Sequence, residues 1–336
     1  MFERLLIVWL VVASAVAYFW PNFAPAGSDP FGASQPYFKW MIFVTMFAVG
    51  AMLPRDEIEQ VRKRWPHVLF GTLIQYTAMP LLGWGIARLW NLPVDYQVGL
   101  ILVGCVPGAM ASNVVTMNAR GHTSYSVSLT TSSTILSPIV VPFTLWLTLG
   151  KTVPLNPLSV GVDLMMGVVA PVLLGCGLVR LFPRTEPFCN RWGPVVANLV
   201  ILWIIAAVVA VNRGRLAGGT LDVILPLIAV NLLGYLAGWS ASTAIGQPES
   251  MRRALTLEVG MQNAGLGTMI AFEHFKDRPL ATVPTALYTF GCVLTAMMLA
   301  QYWAARDRRY EQSDNVSAND TTSGEPVSDR SSSSPD

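Results

Sequence analysis

The stretch TLEVGMQNAGLG, residues 256–267, places a glutamate, a glutamine and an asparagine among apolar residues and three glycines. A carboxylate such as Glu258 is costly at the centre of a bilayer unless a charge or a polar group compensates it. The residues around this stretch therefore decide whether Glu258 marks a functional site within a membrane.

The composition is typical of a membrane protein. Of the 336 residues, 53% are hydrophobic and 12% are charged, against roughly 25% charged in ordinary soluble domains. Apolar runs long enough for a spanning helix of about 20 residues recur along the chain. They predict an all-α polytopic protein with about ten spanning segments, at 3–20, 37–53, 66–90, 96–119, 123–149, 158–181, 191–211, 220–245, 250–273 and 281–304.

The two ends of the chain differ in character. The first segment ends in Tyr18, Phe19 and Trp20, an aromatic end that favours a retained interfacial helix over a cleaved signal peptide. Residues 1–310 are predicted to form the transmembrane domain, whereas residues 311–336 are rich in Ser, Asp and Pro and predict a disordered tail. The four cysteines show no metal-ligand spacing, so neither a zinc site nor a disulfide framework is predicted.

The basic residues predict the orientation, because Lys and Arg in short connections favour the cytoplasmic side. One set of connections holds Arg4, Arg55, Arg62, Lys63, Arg64, Arg120, Arg180, Arg184, Arg191, Arg252, Arg253, Arg306, Arg308 and Arg309. The opposite set holds Lys39, Lys151, Arg213, Arg215, Lys276 and Arg278. The richer set predicts that both termini, including the tail, lie in the cytoplasm.

Ten segments with both ends on one side are compatible with two inverted five-helix repeats, an arrangement common in secondary transporters. If such an arrangement places the binding site at broken helices, segments at corresponding positions of the two repeats should both be interrupted. The fourth segment carries Pro107 and Gly108 at mid-span, and the ninth carries Gly260, Gly265 and Gly267. Interruptions at corresponding positions favour the inverted repeat over two unrelated helix kinks.

Glu258 has no obvious partner in the sequence, since no Lys or Arg occupies a clear mid-membrane position. A bound cation, a proton and a structural hydrogen-bond network all remain open as explanations. Oxygen groups for a cation are present: Ser112 and Asn113 follow the first interruption, Ser126 and Thr130 are four residues apart on one helix face, and Gln75 is an isolated amide. Hard oxygen ligands with one carboxylate favour an alkali ion such as sodium.

The motifs PGAMASNVVTMNARG, residues 107–121, and EVGMQNAGLG, residues 258–267, together resemble those of the bile acid:sodium symporter family. The resemblance covers nearly the whole chain up to the tail. It implies a first sodium site of Ser112, Asn113, Ser126, Thr130 and Glu258, and a second of Gln75, Glu258, Gln262 and the carbonyls of Val259 and Met261. It also implies that Met110, Asn113 and Asn263 face the substrate.

The function implied by the resemblance is sodium-coupled import of a small organic anion across the bacterial inner membrane. Segments three to five and eight to ten would form a core that moves against a panel of segments one, two, six and seven. Two sodium ions would be the coupling ions, with no other cofactor and no nucleic-acid partner. Many members read PGGTASN where this chain has PGAMASN, so Ala109 and Met110 change the substrate side. The implied substrates are accordingly bile-acid-like carboxylates, pantoate or keto acids.

Other classes remain alternatives. A metalloid exporter of the same superfamily would use a soft ligand, and Cys105 lies just before Pro107. A proton-coupled exporter would protonate Glu258. An intramembrane enzyme with Ser112 as nucleophile would need a base, yet His67, His122 and His274 all fall near predicted loops.

Overall fold

The computed structural model describes residues 6–24, 28–54, 57–150, 153–216 and 221–322, and this part of the chain is α-helical. The helices are α1 Leu6–Phe19, α2 Pro30–Ala33, α3 Phe38–Ala51, α4 Glu57–Lys63, α5 Trp65–Leu89, α6 Val94–Cys105, α7 Ala111–Asn118, α8 Thr123–Leu149, α9 Pro157–Leu164, α10 Ala170–Leu181, α11 Glu186–Leu216, α12 Leu221–Ala244, α13 Glu249–Gly260, α14 Ala264–His274 and α15 Thr282–Thr322. A π-helical turn, Met165–Val169, joins α9 to α10.

Five helical stretches are long and apolar enough to cross a membrane, and they show that the chain is an all-α membrane protein. They are Thr123–Leu149, Pro157–Leu181, Pro183–Gly214, Asp222–Ala244 and Pro279–Arg308. These stretches coincide with the predicted segments 123–149, 158–181, 191–211, 220–245 and 281–304. The other predicted segments contain α1, α3, α5 and two interrupted helices, α6 with α7 and α13 with α14.

The helices pack into two groups. In the first, α3 packs on α10 and α11, and α11 packs on α1. Backbones touch here, because a Cβ on Gly50 would lie 2.0 Å from the Val172 carbonyl oxygen and one on Gly175 would lie 2.1 Å from that of Phe47. Small residues permit this close approach between membrane helices.

The second group consists of α5, α6, α8, α12, α13 and α15, with the short helices α7 and α14 inserted among them. Close backbone contact recurs here as well, since a Cβ on Gly104 would lie 2.3 Å from the Met79 carbonyl oxygen. The second group therefore surrounds both interrupted helices and holds the predicted site residues.

The two groups are tied together at one end, where α3 begins and α14 ends. The rings of Phe38 and Phe272 meet edge to face with centroids 5.0 Å apart. Asp163, on α9, accepts from Lys39 Nζ at 2.7 Å and lies 3.1 Å from His274 Nε2. One carboxylate on α9 thus links α3 of the first group to α14.

At the other end an ion cluster joins α13 to α15. The Arg253 side chain is 5% exposed and pairs with Glu249 at 2.6 Å and with Asp307 at 2.6 Å. Arg253 also donates to the Ala119 carbonyl at the end of α7, at 2.7 Å, and Arg306 pairs with Glu249. The Arg253 guanidinium holds the pKa of Glu249 below its usual value. The cluster therefore holds α7, α13 and α15 together next to the interruptions.

The structure adds detail on some residues used to predict the orientation and the tail, and other such residues lie outside the described part. Arg213 pairs with Asp29 at 2.9 Å, so a partner charge offsets this basic residue of the poorer set. Helix α15 continues to Thr322 and includes residues 311–322 of the segment whose composition predicts disorder. Arg4, Arg55, Lys151 and residues 323–336 lie outside the described residues.

Candidate ion and substrate site

The two interrupted helices meet at their interruptions. The Ala109 amide donates to the Met261 carbonyl at 2.8 Å, and the Asn263 amide donates to the Pro107 carbonyl at 2.8 Å. Gly108 and Gln262 form an isolated antiparallel bridge between them. Backbone groups buried without a partner are costly, so each interruption stabilises the other.

Local chemistry explains where the helices stop. Pro107 disfavours the helical conformation at the residue before it, and Val106 is extended with φ −74° and ψ 158°. At the second interruption Met261 is extended, with φ −106° and ψ 104°. Asn263 then caps α14, because its side chain accepts from the Leu266 amide at 3.2 Å.

Glu258 lies at the centre of this arrangement and is 1% exposed. Ser112 donates its hydroxyl to Glu258 Oε2 at 2.6 Å, and Thr130 donates to Oε1 at 2.7 Å. Ser126 lies one turn before Thr130 on α8, and its carbonyl accepts from the Thr130 hydroxyl at 3.1 Å. Residues of α7, α8 and α13 therefore converge on one buried carboxyl group.

No positive side chain pairs with Glu258 among the residues that the structure describes; the hydroxyl groups of Ser112 and Thr130 provide its side-chain hydrogen bonds. A buried carboxylate without a compensating charge is costly. Hydroxyl oxygens can donate to a carboxylate or present lone pairs to a cation. The group is therefore chemically suited to exchange a proton or to bind a hard cation.

The remaining members of the first predicted set lie close by. The Thr130 hydroxyl is 3.4 Å from Asn113 Oδ1, and Ser126 Oγ is 3.3 Å from the hydroxyl of Thr116. Thr116 is fully buried and absent from the predicted set. Its position four residues after Ser112, on the same face of α7, is the signal in the sequence that could have identified it.

The second predicted set is also assembled around the interruptions. Gln75 Nε2 lies 2.8 Å from Gln262 Oε1, and Gln262 donates to the Val259 carbonyl at 2.7 Å. Turning the Gln75 amide over, an orientation that a hydrogen-bond network must assign, lets it donate to the Glu258 carbonyl at 3.1 Å. The Met261 carbonyl accepts from Ala109 and retains a second lone pair.

The three predicted substrate residues are more accessible than the oxygen cluster. Met110, Asn113 and Asn263 are partly exposed, whereas Ser112 and Glu258 are buried. Met110 directly precedes α7 and Asn263 directly precedes α14. All three therefore lie at the starts of the two half-helices, next to the cluster.

The residues invoked for an enzyme or a soft-ligand site are arranged differently. Ser112 donates to Glu258, and no hydrogen bond between Ser112 and a histidine is found in the described part of the chain. His122 caps α8 by accepting from the Tyr125 amide at 3.2 Å, and His274 faces Asp163. Cys105 is fully buried at the end of α6. The geometry does not form a nucleophile–base pair.

Two polar residues near the second interruption were not anticipated. Asn231 and Tyr288 donate to the Gly260 carbonyl at 2.9 and 2.8 Å. The signal for Asn231 is an isolated amide within the apolar segment 220–245. Tyr288 gives no comparable signal, because tyrosine is common near membrane interfaces.

Comparison with known proteins identifies the family of this chain. Residues 39–218 match the model of the sodium bile acid symporter family. YocS of Bacillus subtilis (strain 168), named as an uncharacterized sodium-dependent transporter, is 34% identical over 313 residues, covering 93% of this chain and 94% of that protein.

Two plant proteins are also similar, both named as the probable sodium/metabolite cotransporter BASS1, chloroplastic. The rice protein is 33% identical over 311 residues, with 88% of this chain and 71% of that protein covered. The Arabidopsis thaliana protein is 31% identical over 260 residues, with 77% and 65% covered. The chain therefore belongs to the sodium bile acid symporter family and is a membrane transporter rather than an enzyme.

Proposed function

We propose that this protein is a sodium-coupled symporter that imports a small organic anion by alternating access. The observation that carries the proposal is the buried Glu258 carboxylate, which is surrounded by hydroxyl, amide and backbone oxygens from four helices and has no cationic partner among the described residues. Sodium is the hard monovalent cation that such a set of ligands suits. The names of the similar proteins point to the same coupling ion.

The ligands divide into the two sets proposed as sodium sites. Ser112, Asn113, Ser126 and Thr130 form the first with Glu258: Ser112 and Thr130 donate to the carboxylate, and Asn113 Oδ1 lies 3.4 Å from the Thr130 hydroxyl. Gln75, Gln262 and the carbonyls of Val259 and Met261 form the second with Glu258, and Gln262 donates to the Val259 carbonyl at 2.7 Å. Both sites share one negative charge.

The charge balance favours an anionic substrate. Two sodium ions and one carboxylate leave a single positive charge, which a monocarboxylate would neutralise. The starts of α7 and α14 lie beside Asn113 and Asn263, and helix N-termini favour anions. A small carboxylate such as pantoate or a keto acid fits this position, as does a bile-acid-like one.

The proposed architecture has ten spanning segments in two inverted repeats, with both termini in the cytoplasm. Segments three to five and eight to ten form a core that moves against a panel of segments one, two, six and seven. The interruption of corresponding segments, α6 with α7 and α13 with α14, supports this arrangement. Sodium bound at the interruptions would order the half-helix ends that receive the anion, so that ions and substrate favour each other.

The ties between the two helix groups indicate which side is closed. Phe38 meets Phe272, and Asp163 joins Lys39 to His274, all at the end where α3 begins. In the proposed orientation this is the outer end, whereas the ion cluster of Arg253 at the inner end lies within the core. With this orientation, the contacts between the two groups support a conformer that is closed to the outside.

A thermal-shift titration of the purified protein tests the proposal. A ligand that binds only the folded state stabilises it by about 2.7 kcal/mol at a hundred times its Kd. Sodium chloride should raise the melting temperature above that in equimolar potassium or choline chloride. Pantoate, keto acids and bile acids should then be screened in each salt, and the transported class should stabilise further only when sodium is present.

Two results would contradict the proposal. Equal melting temperatures in sodium and potassium, together with uptake that ignores sodium, would remove the coupling ion. Sodium-independent stabilisation by a metalloid that is lost in Cys105→Ala would instead favour the exporter alternative.

A further inference from the structure

The carbonyl of Gly260, the last residue of α13, is held by two side chains from other helices. Asn231 Nδ2 of α12 donates to it at 2.9 Å, and the Tyr288 hydroxyl of α15 donates to it at 2.8 Å. Both side chains are buried, at 3% and 1% exposure. A carbonyl released from the helical ladder needs one such partner, and this one has two.

These two donors are themselves held in place. The Thr295 hydroxyl donates to Asn231 Oδ1 at 2.7 Å and lies 3.0 Å from the Tyr235 hydroxyl. The Tyr235 ring lies against Gly260, where an added Cβ would meet it at 2.0 Å. Side chains of α12 and α15 therefore enclose the Gly260 peptide, and we call this set the Gly260 clamp: Asn231, Tyr235, Tyr288 and Thr295.

The position of Gly260 connects this clamp to the ion site. Its neighbours are Val259 and Met261, whose carbonyls belong to the second proposed sodium site. Peptide units are planar, so the directions of successive carbonyls depend only on the φ and ψ angles between them. Glycine has the widest choice of these angles. Fixing the Gly260 carbonyl towards α12 and α15 therefore restricts where its two neighbours can point.

We propose that Asn231 and Tyr288 are positioning residues for the second sodium site: they hold the Gly260 carbonyl so that the Val259 and Met261 carbonyls face the ion. They do not touch the ion themselves. This inference rests on the proposed sodium coupling. It adds Asn231 and Tyr288, which lie outside both proposed ligand sets, to the residues on which sodium affinity depends.

The test is a sodium titration of Tyr288→Phe, which removes one hydroxyl and keeps the ring. Loss of one hydrogen bond to the carbonyl should raise the sodium concentration for half-maximal thermal stabilisation by roughly three- to tenfold. In proteoliposomes the half-saturating sodium concentration for uptake should rise by a similar factor, while the maximal rate at saturating sodium stays near that of the wild type. This split separates positioning from a general loss of active protein.

Two further variants sharpen the test. Tyr302→Phe removes a hydroxyl from the same helix at a position 63% exposed and should leave the sodium titration unchanged. Thr295→Val removes the hydroxyl that donates to Asn231 Oδ1 and lies 3.0 Å from the Tyr235 hydroxyl, but it leaves both donors to the Gly260 carbonyl in place. It should therefore shift the sodium titration in the same direction by a smaller factor. Thr295→Val decides the question if Tyr288→Phe does not fold.

The outcomes separate this inference from the proposed function. A wild-type protein that responds to sodium, with Tyr288→Phe and Thr295→Val less stable in sodium-free buffer yet unshifted in sodium affinity, would overturn the positioning role alone. A wild-type protein with no sodium response would overturn the sodium coupling and this inference with it. A raised half-saturating concentration in both variants, with Tyr302→Phe unchanged, would support the clamp.

Discussion

Gly108 lies directly against the Glu258 carboxylate, because a Cβ on Gly108 would stand 2.1 Å from Glu258 Oε1. The same backbone segment pairs with the second interruption through the Ala109 amide and the Met261 carbonyl. At the first interruption, the backbone of Gly108 therefore lies in contact with Glu258, the only acidic side chain in the proposed ion sites. The close contact leads to a direct prediction for the smallest possible substitution.

Gly108→Ala should reduce sodium-stimulated uptake by about tenfold or more, the equivalent of at least about 1.4 kcal/mol. The added methyl group would displace the carboxylate from Ser112 or Thr130, since backbone on both sides of Gly108 is held by the paired interruptions. Uptake at several sodium concentrations measures the effect. Gly85→Ala is the control: no atom lies within 4 Å of its added Cβ, and alanine favours the helix by up to about 1 kcal/mol. Equal uptake by both variants would contradict the proposed contact.

Glu258→Ala should abolish sodium-coupled uptake, because both proposed sites lose their shared charge. Ser126→Ala and Thr130→Ala should raise the sodium requirement more mildly, since each removes one neutral ligand. Glu59→Ala is a control that removes an exposed carboxylate paired with Lys63 on the short helix α4. Sodium dependence like that of the wild type in Glu258→Ala would refute the assignment of both sites.

Uptake should respond to membrane potential if two sodium ions accompany one monoanion. Each cycle then carries one net positive charge inward, and a charge that crosses the whole field gains about 2.3 kcal/mol per 100 mV. A potassium–valinomycin potential, negative inside, should accelerate uptake into proteoliposomes at fixed sodium. Uptake of a confirmed monoanion that ignores the potential, with one sodium per substrate, would leave only one working site.

Single-cysteine labelling should place the connections on the expected sides of the membrane. With the four native cysteines replaced, an impermeant maleimide on intact cells should label Phe23→Cys, at a position 83% exposed. It should not label Glu59→Cys or a cysteine placed in residues 323–336 until the membrane is permeabilised. A tail labelled from outside would contradict the ten-segment inverted repeat.

Asp163→Asn should weaken the closure of the outer end, because Asp163 joins Lys39 and His274 across the two helix groups. Partly exposed ion pairs contribute about 0–1 kcal/mol, so the outward-open population should rise by up to about fivefold. An Ala271→Cys reporter, buried at 1% exposure, should then react faster with an external maleimide.

Asp95→Asn is the matched control for this closure. It breaks the 2.8 Å pair with Arg278, which lies within the proposed core at the same end of the molecule. If Asp95→Asn accelerates the maleimide reaction of the Ala271→Cys reporter as much as Asp163→Asn does, the faster reaction reflects local loosening of the outer end. It would then not reflect opening between core and panel.

Much of the fold was readable from the sequence because its causes are local. Long apolar runs predicted spanning helices, and five of them meet that description. Pro107 predicted an interruption through its effect on the residue before it, and α6 ends at Cys105. Ser126 and Thr130 were expected on one helix face because they are four residues apart. Each inference needed only a short window of residues.

Only the tertiary structure decided which of these groups meet. Ser112 and Glu258 are 146 residues apart in sequence yet share a 2.6 Å hydrogen bond, and neither residue type indicates its partner. The Gly260 clamp likewise depends on Asn231 and Tyr288 arriving on α12 and α15 from separate segments. Hydrophobicity and backbone preference act within a segment and are visible in the sequence. The pairing of polar groups between segments depends on how the helices pack, and that is a property of the whole fold.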